Sequence, residues 1–229
     1  MAAAAGIDLF NLFKMMDDPI SAGSRLNQLL ADAGLDPLSS ELTGKFAEYC
    51  SLILRWNARV NLTAIRDEDG ILARHFVESI ACARALPAGI ETLLDFGSGA
   101  GFPGIPIALC RPEIMVTLAE SQGKKAAFLQ EAIRVLEISA KVHPHRAELL
   151  AGRFDCVTLR AVDRMGEAVG AAGGLVAPGG WLVLMSTWDE LSGLQRAAGA
   201  GFSWSRVVQL PGGDARLVAL GERSVSSPV

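Results

Sequence analysis

The sequence has few residues suited to redox or metal chemistry. Its four cysteines, Cys50, Cys82, Cys110 and Cys156, lie far apart and form no C-x-x-C pair. That excludes a disulfide framework and a zinc knuckle, and points to an intracellular, reducing compartment in which the thiols serve as small core hydrophobes. Histidine is rarer still, at three residues. His143 and His145 are neighbours, but no third ligand follows at zinc spacing, so no metal is expected. No apolar run is long enough to span a bilayer. The alanine run near the amino terminus has no basic residues ahead of it and is interrupted by Asp8, so a secretory signal is not expected either. These absences together predict a cytoplasmic protein without a membrane partner. Internal repeats are lacking. So is an excess of positive charge: 21 Lys and Arg against 25 Asp and Glu give a formal net charge of −4, which excludes a general nucleic-acid coat.

Half of the 229 residues are hydrophobic and 20% are charged, the composition of a soluble globular protein with a generous core. The length suits one α/β domain with an attached helical segment. Basic residues gather locally, with Arg55, Arg59, Arg66 and Arg74 in one segment, Lys124 and Lys125 in a second, and Arg153, Arg160 and Arg164 in a third. For any one of them a solvated surface is the plain reading.

The most informative stretch is Leu93-Leu94-Asp95-Phe96-Gly97-Ser98-Gly99-Ala100-Gly101-Phe102-Pro103-Gly104. A short apolar run after Thr92 suits a strand buried on both faces of a parallel sheet, and the glycines that follow let backbone approach a small polar ligand. Gly99, Gly101 and Gly104 satisfy the dinucleotide pattern G-x-G-x-x-G, which keeps a nicotinamide-dependent oxidoreductase in view. Asp95 and Gly97 extend it to D-x-G-x-G-x-G, the arrangement of S-adenosylmethionine enzymes. Glu120 ends the next apolar run, where an acid can hold a ribose diol. Both cofactors contain ribose, so Glu120 does not discriminate.

Along the chain, residues up to about Pro19 read as a short amphipathic helix, with Leu9, Leu12, Phe13 and Met16 on one side, or as a tail. Ser21 or Ser24 is placed to cap a helix running to Ala33, which Gly34 and Pro37 stop. After Ser39-Ser40, apolar residues at Leu42, Phe46, Tyr49, Ile53, Trp56 and Val60 form one helical stripe, and Asn61 is expected to fix the bend that follows. Strands are expected at Met115–Ala119, Lys141–His143, Phe154–Leu159 and Trp181–Met185. Helices are expected at Lys124–Leu136, Glu167–Val176 and Trp188–Ala198. Strands at Trp204–Leu210 and Arg216–Leu220, joined through Gly212-Gly213-Asp214, complete seven strands with an antiparallel hairpin.

Three motifs in order carry a resemblance: W-N-x-x-x-N-L-T-A-I from Trp56, H-F-x-x-S from His75, and L-D-x-G-S-G-x-G-x-P-G-I-P from Leu94. Further downstream come Glu120-Ser121-x-x-Lys124-Lys125-x-x-Phe128-Leu129, Arg146-Ala147-Glu148 and Arg160-Ala161-Val162. From about Leu42 to Val183 the chain resembles the bacterial small-subunit ribosomal RNA guanine-N7 methyltransferases once called glucose-inhibited division protein B. The resemblance implies a Rossmann-like class I S-adenosylmethionine-dependent fold, a mostly parallel seven-stranded sheet with a helical extension over residues 1–85 and the methyltransferase domain over 86–229. It implies transfer to guanine 527 in the 530 loop of 16S rRNA, in the small subunit or its assembly intermediate. A methyltransferase of another RNA or of a small molecule is the alternative.

The expected cofactor residues are Asp95, Gly97, Gly99, Gly101, Phe102, Glu120, Ser121, Gln122, Ala147, Glu148 and Arg160, with Ala147 and Glu148 at the adenine by resemblance. Candidate RNA contacts are Arg59, Asn61, His75, Lys124, Lys125 and Arg164. His75, a lone histidine at the edge of an apolar helix, has the structural role as its plainer reading. Guanine N7 carries a lone pair and no proton, so no general base is expected; accordingly there is no N-P-P-Y, D-P-P-Y or Pro-Cys segment. Where the family usually has Ser or Ala before the arginine this chain has Leu159, and where it usually has Lys-Gly after the fifth strand this chain has Met185-Ser186. A small basic patch on an acidic protein favours a structured particle over free RNA. The expected state is a monomer.

Overall fold

The computed structural model describes residues 21–213 and 215–225. The amphipathic segment around Leu9–Met16 and the turn residue Asp214 lie outside them. Ser21 caps helix α1 (Ala22–Asp32) by accepting the Ser24 N–H, and Gly34 ends it with a φ of +69°. Ser39 likewise caps α2 (Ser40–Asn57), whose buried stripe includes Phe46, Tyr49 and Ile53. Val60 continues the stripe but lies in the turn beyond the helix. A third helical run, α3 (residues 68–85), contains a π-helical stretch at Ile71–Phe76 before the regular turns Val77–Ala85. Wider turns of this sort recur at functional sites. Here the wider turn carries His75.

Strand and helix then alternate: β1 (Thr92–Phe96), α4 (Gly104–Cys110), β2 (Met115–Ala119), α5 (Gly123–Leu136), β3 (Ala140–His143) and β4 (Phe154–Arg160). The chain continues with α6 (Met165–Gly174), β5 (Val176–Thr187), α7 (Trp188–Ala198), β6 (Phe202–Gln209) and β7 (Arg216–Arg223). The sheet order is β3-β2-β1-β4-β5-β7-β6, and β7 runs antiparallel to both its neighbours. This is a Rossmann-like class I α/β fold. Val176, expected at the end of a helix, instead opens β5 and pairs with Phe154 at full burial. A β-branched residue with a strand beside it and Gly173-Gly174 before it is better placed in the sheet.

Alternation along β1 gives the sheet two covered faces. Leu93 enters a core shared with α1–α5, while Leu94 enters a second core with α6 and α7. The first core holds a run of rings, Phe46, Tyr49, Phe76, Phe102 and Phe128, with neighbouring centroids 5.0–6.5 Å apart. Tyr49 of α2 donates its hydroxyl to the carbonyl of Ala100, which ties the helical layer to the glycine loop. The chain turns from one side of β1 to the other between β3 and β4. At that reversal, beyond the carboxyl ends of β1 and β4, parallel sheets leave a crevice for ligands.

Candidate functional site

A cleft of about 640 Å³ occupies this crevice. One wall is backbone. The loop after β1 places Gly97, Ser98, Gly99 and Ala100 along it, with Gly97 at a φ of +74° and Gly99 at +56°. Glu120, at the end of β2, is 6% exposed, and its two carboxylate oxygens accept the N–H groups of Gly99 (3.0 Å) and Gln122 (2.7 Å). Each oxygen keeps a lone pair for a hydroxyl in the cleft. Ser121 and Gln122 follow, and Ala147 with Glu148 closes this end from the turn after β3. Arg146 donates to Glu148 at 2.8 Å and holds that carboxyl below its ordinary range.

Asp95 and Gly101, expected at the ligand, lie beneath the loop and outside the cleft lining. Asp95 is 1% exposed; its carboxylate accepts the Gly104 N–H at 3.2 Å and the Thr158 hydroxyl at 2.9 Å. Burial outweighs those bonds and pushes its pKa up to about 6. Gly101 is required by packing, since a Cβ there would stand 2.7 Å from the Tyr49 hydroxyl.

The other wall is made of side chains from four distant segments. His75 stacks on Phe102 with ring centroids 4.5 Å apart. Its Nδ1 lies 3.1 Å from Nη2 of Arg160, and its Nε2 lies 2.7 Å from the Thr63 hydroxyl. Burial, and then the cationic neighbours Arg160, Arg74 and Arg216, lower the imidazole pKa to about 3, so the ring is neutral. Arg160, at the end of β4, lines the cleft, yet its hydrogen bonds run to α3: Glu78 at 2.9 Å, the Arg74 carbonyl at 3.0 Å and Ser79 at 3.4 Å. Glu78 is 1% exposed and also forms ion pairs with Arg74 and Arg216. Burial pushes the Glu78 carboxyl above its ordinary range, and the guanidiniums of Arg160, Arg216 and Arg74 offset only part of that rise.

Among the expected RNA residues, His75, Lys125 and Arg164 face the cleft, whereas Arg59, Asn61 and Lys124 are exposed away from it. Arg164 sits on the rim, paired with Glu167 at 3.2 Å. The bend after α2 is fixed by Asn57 rather than by Asn61. Asn57 donates to the carbonyls of Thr63 and Ile65 and accepts from the N–H groups of Leu62 and Thr63, all within 3.2 Å. It is 4% exposed, and a buried amide can satisfy four partners where the exposed Asn61, among the described residues, meets only Arg66 at 3.0 Å. Thr63, Val162 and Asp163 also line the cleft and were not singled out from the sequence. Of these, Thr63 and Val162 stood inside quoted motifs, and Asp163 stood just beyond one.

Leu159 is fully buried and Met185 is 5% exposed in the core, so neither departure from the family pattern reaches the cleft. The Ser186 hydroxyl donates to Glu190 at 2.7 Å. The four thiols are free, and burial pushes those of Cys50 and Cys82 up to about 12. Among the described residues no three His, Cys, Asp or Glu stand close enough to hold a metal ion, and no helix is long and apolar enough to cross a membrane.

The architecture is shared with solved methyltransferases. One from Pyrococcus furiosus matches with a TM-score of 0.57 at 14% identity, over 81% of this chain and 100% of that one. The 16S rRNA N2 G1207 methyltransferase of T. thermophilus, solved with AdoMet and guanosine, matches with a TM-score of 0.52 at 20% identity, over 68% of this chain and 41% of that one. The sequence relatives are closer. The ribosomal RNA small subunit methyltransferase G of Stenotrophomonas maltophilia (strain K279a) is 44% identical over 170 residues, which is 73% of this chain and 78% of that protein. Its counterpart in Xanthomonas euvesicatoria pv. vesicatoria (strain 85-10) is 38% identical over 193 residues, 80% of this chain and 88% of that protein. The family described as rRNA small subunit methyltransferase G matches residues 43–209. On that match and those relatives, the chain belongs to the rRNA small subunit methyltransferase G family and is a methyltransferase of small-subunit ribosomal RNA.

Proposed function

We propose that this protein methylates N7 of a guanine in 16S rRNA, guanine 527 of the 530 loop, with S-adenosylmethionine as the donor. The chemistry of the backbone wall suits that donor. Glu120 has two lone pairs free for the ribose hydroxyls, the glycine loop leaves room for close approach, and the apolar Ala147 stands beside Glu148 for the adenine. When bound, S-adenosylmethionine supplies an electrophilic methyl on a positively charged sulfur. The protein's own task is then alignment and the exclusion of water.

The observation that carries the N7 reading is on the side-chain wall, where Thr63, His75, Phe102 and Arg160 offer no base. His75 is neutral with both ring nitrogens engaged, and Arg160 is a cation held by Glu78. An exocyclic amine must lose a proton to become a methylated neutral product; N7 of guanine has none to lose. A guanine N7 would bring its own lone pair to the donor's methyl, the donor's sulfur would keep the electron pair of the bond it gives up, and the residues of this wall would have only to align the two groups. No proton moves. Asp163 lines the same cleft and can meet the positive charge gained by the purine, Glu167 being already paired with Arg164.

The helical layer belongs to the same reading. We treat residues 1–85 as an extension on a methyltransferase domain of residues 86–229, because Thr63 and His75 of the first complete a cleft whose floor is the second. The direct test is transfer of labelled methyl from S-adenosylmethionine to small ribosomal subunits lacking the N7 methyl, with the product mapped by cleavage at 7-methylguanine. Label at guanine 527 alone is the expected result. No transfer by a protein that still binds S-adenosylmethionine would overturn the substrate assignment.

A further inference from the structure

The hydroxyl of Thr63 has one direction left in which to donate. A guanidinium only donates, so Nδ1 of His75, 3.1 Å from Nη2 of Arg160, is the unprotonated nitrogen. Nη2 shares its two hydrogens among Nδ1, the Arg74 carbonyl and Glu78, and a proton on Nδ1 would be turned against the cation. The ring proton is therefore on Nε2, and Nε2–H donates to Thr63 Oγ1 at 2.7 Å. The Ile65 N–H also donates to Thr63 Oγ1, at 3.2 Å. Both lone pairs of the oxygen are then occupied, and its own hydrogen has no acceptor among the described residues. Asn57 clamps the Thr63 backbone on its N–H and its carbonyl, so the residue has little freedom to turn away. Thr63 lines the cleft beside His75, Phe102 and Arg160.

We propose that Thr63 is a specificity residue whose hydroxyl donates to the O6 acceptor of the target guanine. The proposal rests on the guanine-N7 reading above and adds the group that selects the base. In guanine the two acceptors O6 and N7 lie side by side on one edge; in adenine the position of O6 is an amino donor. A hydroxyl limited to donating binds the first and leaves two donors opposed in the second. Discrimination of this kind is strong because the mismatched base strands a polar group in a desolvated site. Arg160 and His75 act through Thr63: the cation fixes the tautomer, and the tautomer fixes the direction of the hydroxyl.

The test pairs a change in the protein with a change in the base. Small subunits are reconstituted with guanine or with 2-aminopurine, which keeps N7 and lacks O6, at the target position, and methyl transfer is compared for wild type, Thr63→Val and Thr63→Ser. Wild type and Thr63→Ser are expected to prefer guanine, and Thr63→Val, isosteric but without the hydroxyl, to narrow that preference by roughly tenfold. A merely structural role for Thr63 would slow both substrates equally. Thr63→Val retaining the full wild-type preference would overturn the inference, and so would a wild type that treats the two bases alike, a result that needs no variant to fold. Wild type inactive on guanine subunits while still binding S-adenosylmethionine would instead bring down the N7 reading, and this inference with it.

Discussion

The two walls of the cleft are built of different material. The wall at Gly97–Ala100 and Glu120 is backbone held by one carboxylate, and it comes from two consecutive strand ends. The wall at Thr63, His75, Phe102 and Arg160 is a chain of side chains from four segments, locked by hydrogen bonds and a ring stack. The first needs only a strand, a turn and a helix in succession. The second exists only when α3 lies against the end of β4, which the Arg160–Glu78 ion pair at 2.9 Å secures. A backbone wall suits a ligand common to many enzymes, whereas a side-chain wall suits the part that differs from one enzyme to the next.

The largest expected effect breaks the first wall and spares the second. A Cβ at Gly99 would meet only the Gly97 carbonyl oxygen, at 4.0 Å, and its φ of +56° strains any side chain, aspartate less than most. Gly99→Asp therefore folds but sets a carboxylate beside Glu120. Its affinity for S-adenosylmethionine by calorimetry should fall by about 100-fold or more, the scale of an opposed buried charge, while its melting temperature falls by only a few degrees, the cost of a non-glycine residue in the left-handed region.

Below that loop, Asp95 gives a pH signature. Its folded pKa, raised from 3.8 to about 6, means that its stabilising contribution is fully present below pH 3.8, where it is protonated, and is lost as pH rises through about 6. Relative to Asp95→Asn, the wild type should lose on the order of 3 kcal/mol of stability between pH 4 and 7, at about 1.4 kcal/mol per pKa step. Denaturant titrations across that range measure it. Parallel curves for the two proteins would contradict the burial argument.

The smallest effect sharpens the division from the other side. Asn57→Ala removes four hydrogen bonds that shape residues 62–65, at an expected cost of about 2 kcal/mol in stability. Because Thr63 loses its clamp, methyl transfer should fall by about tenfold or more while affinity for S-adenosylmethionine is unchanged. Equal losses in both would mean that the two walls are not separable.

The same division explains what the sequence makes legible. Strand β2 and helix α7 fall where their periodicity puts them, Met115–Ala119 and Trp188–Ala198, since pattern and propensity agree there. The glycine loop and Glu120 are likewise local, a motif and the next strand end. Asp95 and Gly101 stand in the same motif but serve the loop from below, a difference of facing that spacing does not express. Asn57 and Asn61 are alike in the sequence, and only burial under the turn separates the residue with four partners from the one with a single arginine. The low pKa of His75 comes first from its burial and then from Arg160, 85 residues away. No local pattern reports that distance.

The central claim is that donor and base are held by separate walls, and the most direct measurement is the affinity for S-adenosylmethionine of Glu120→Ala and His75→Ala side by side. Loss of the Glu120 carboxylate should weaken binding by about 30-fold, the worth of charge-assisted hydrogen bonds to two hydroxyls. Loss of the His75 imidazole should leave binding within about threefold of wild type while transfer to the ribosomal subunit collapses. Equal weakening in the two variants would contradict the account, because both walls would then be holding the same ligand.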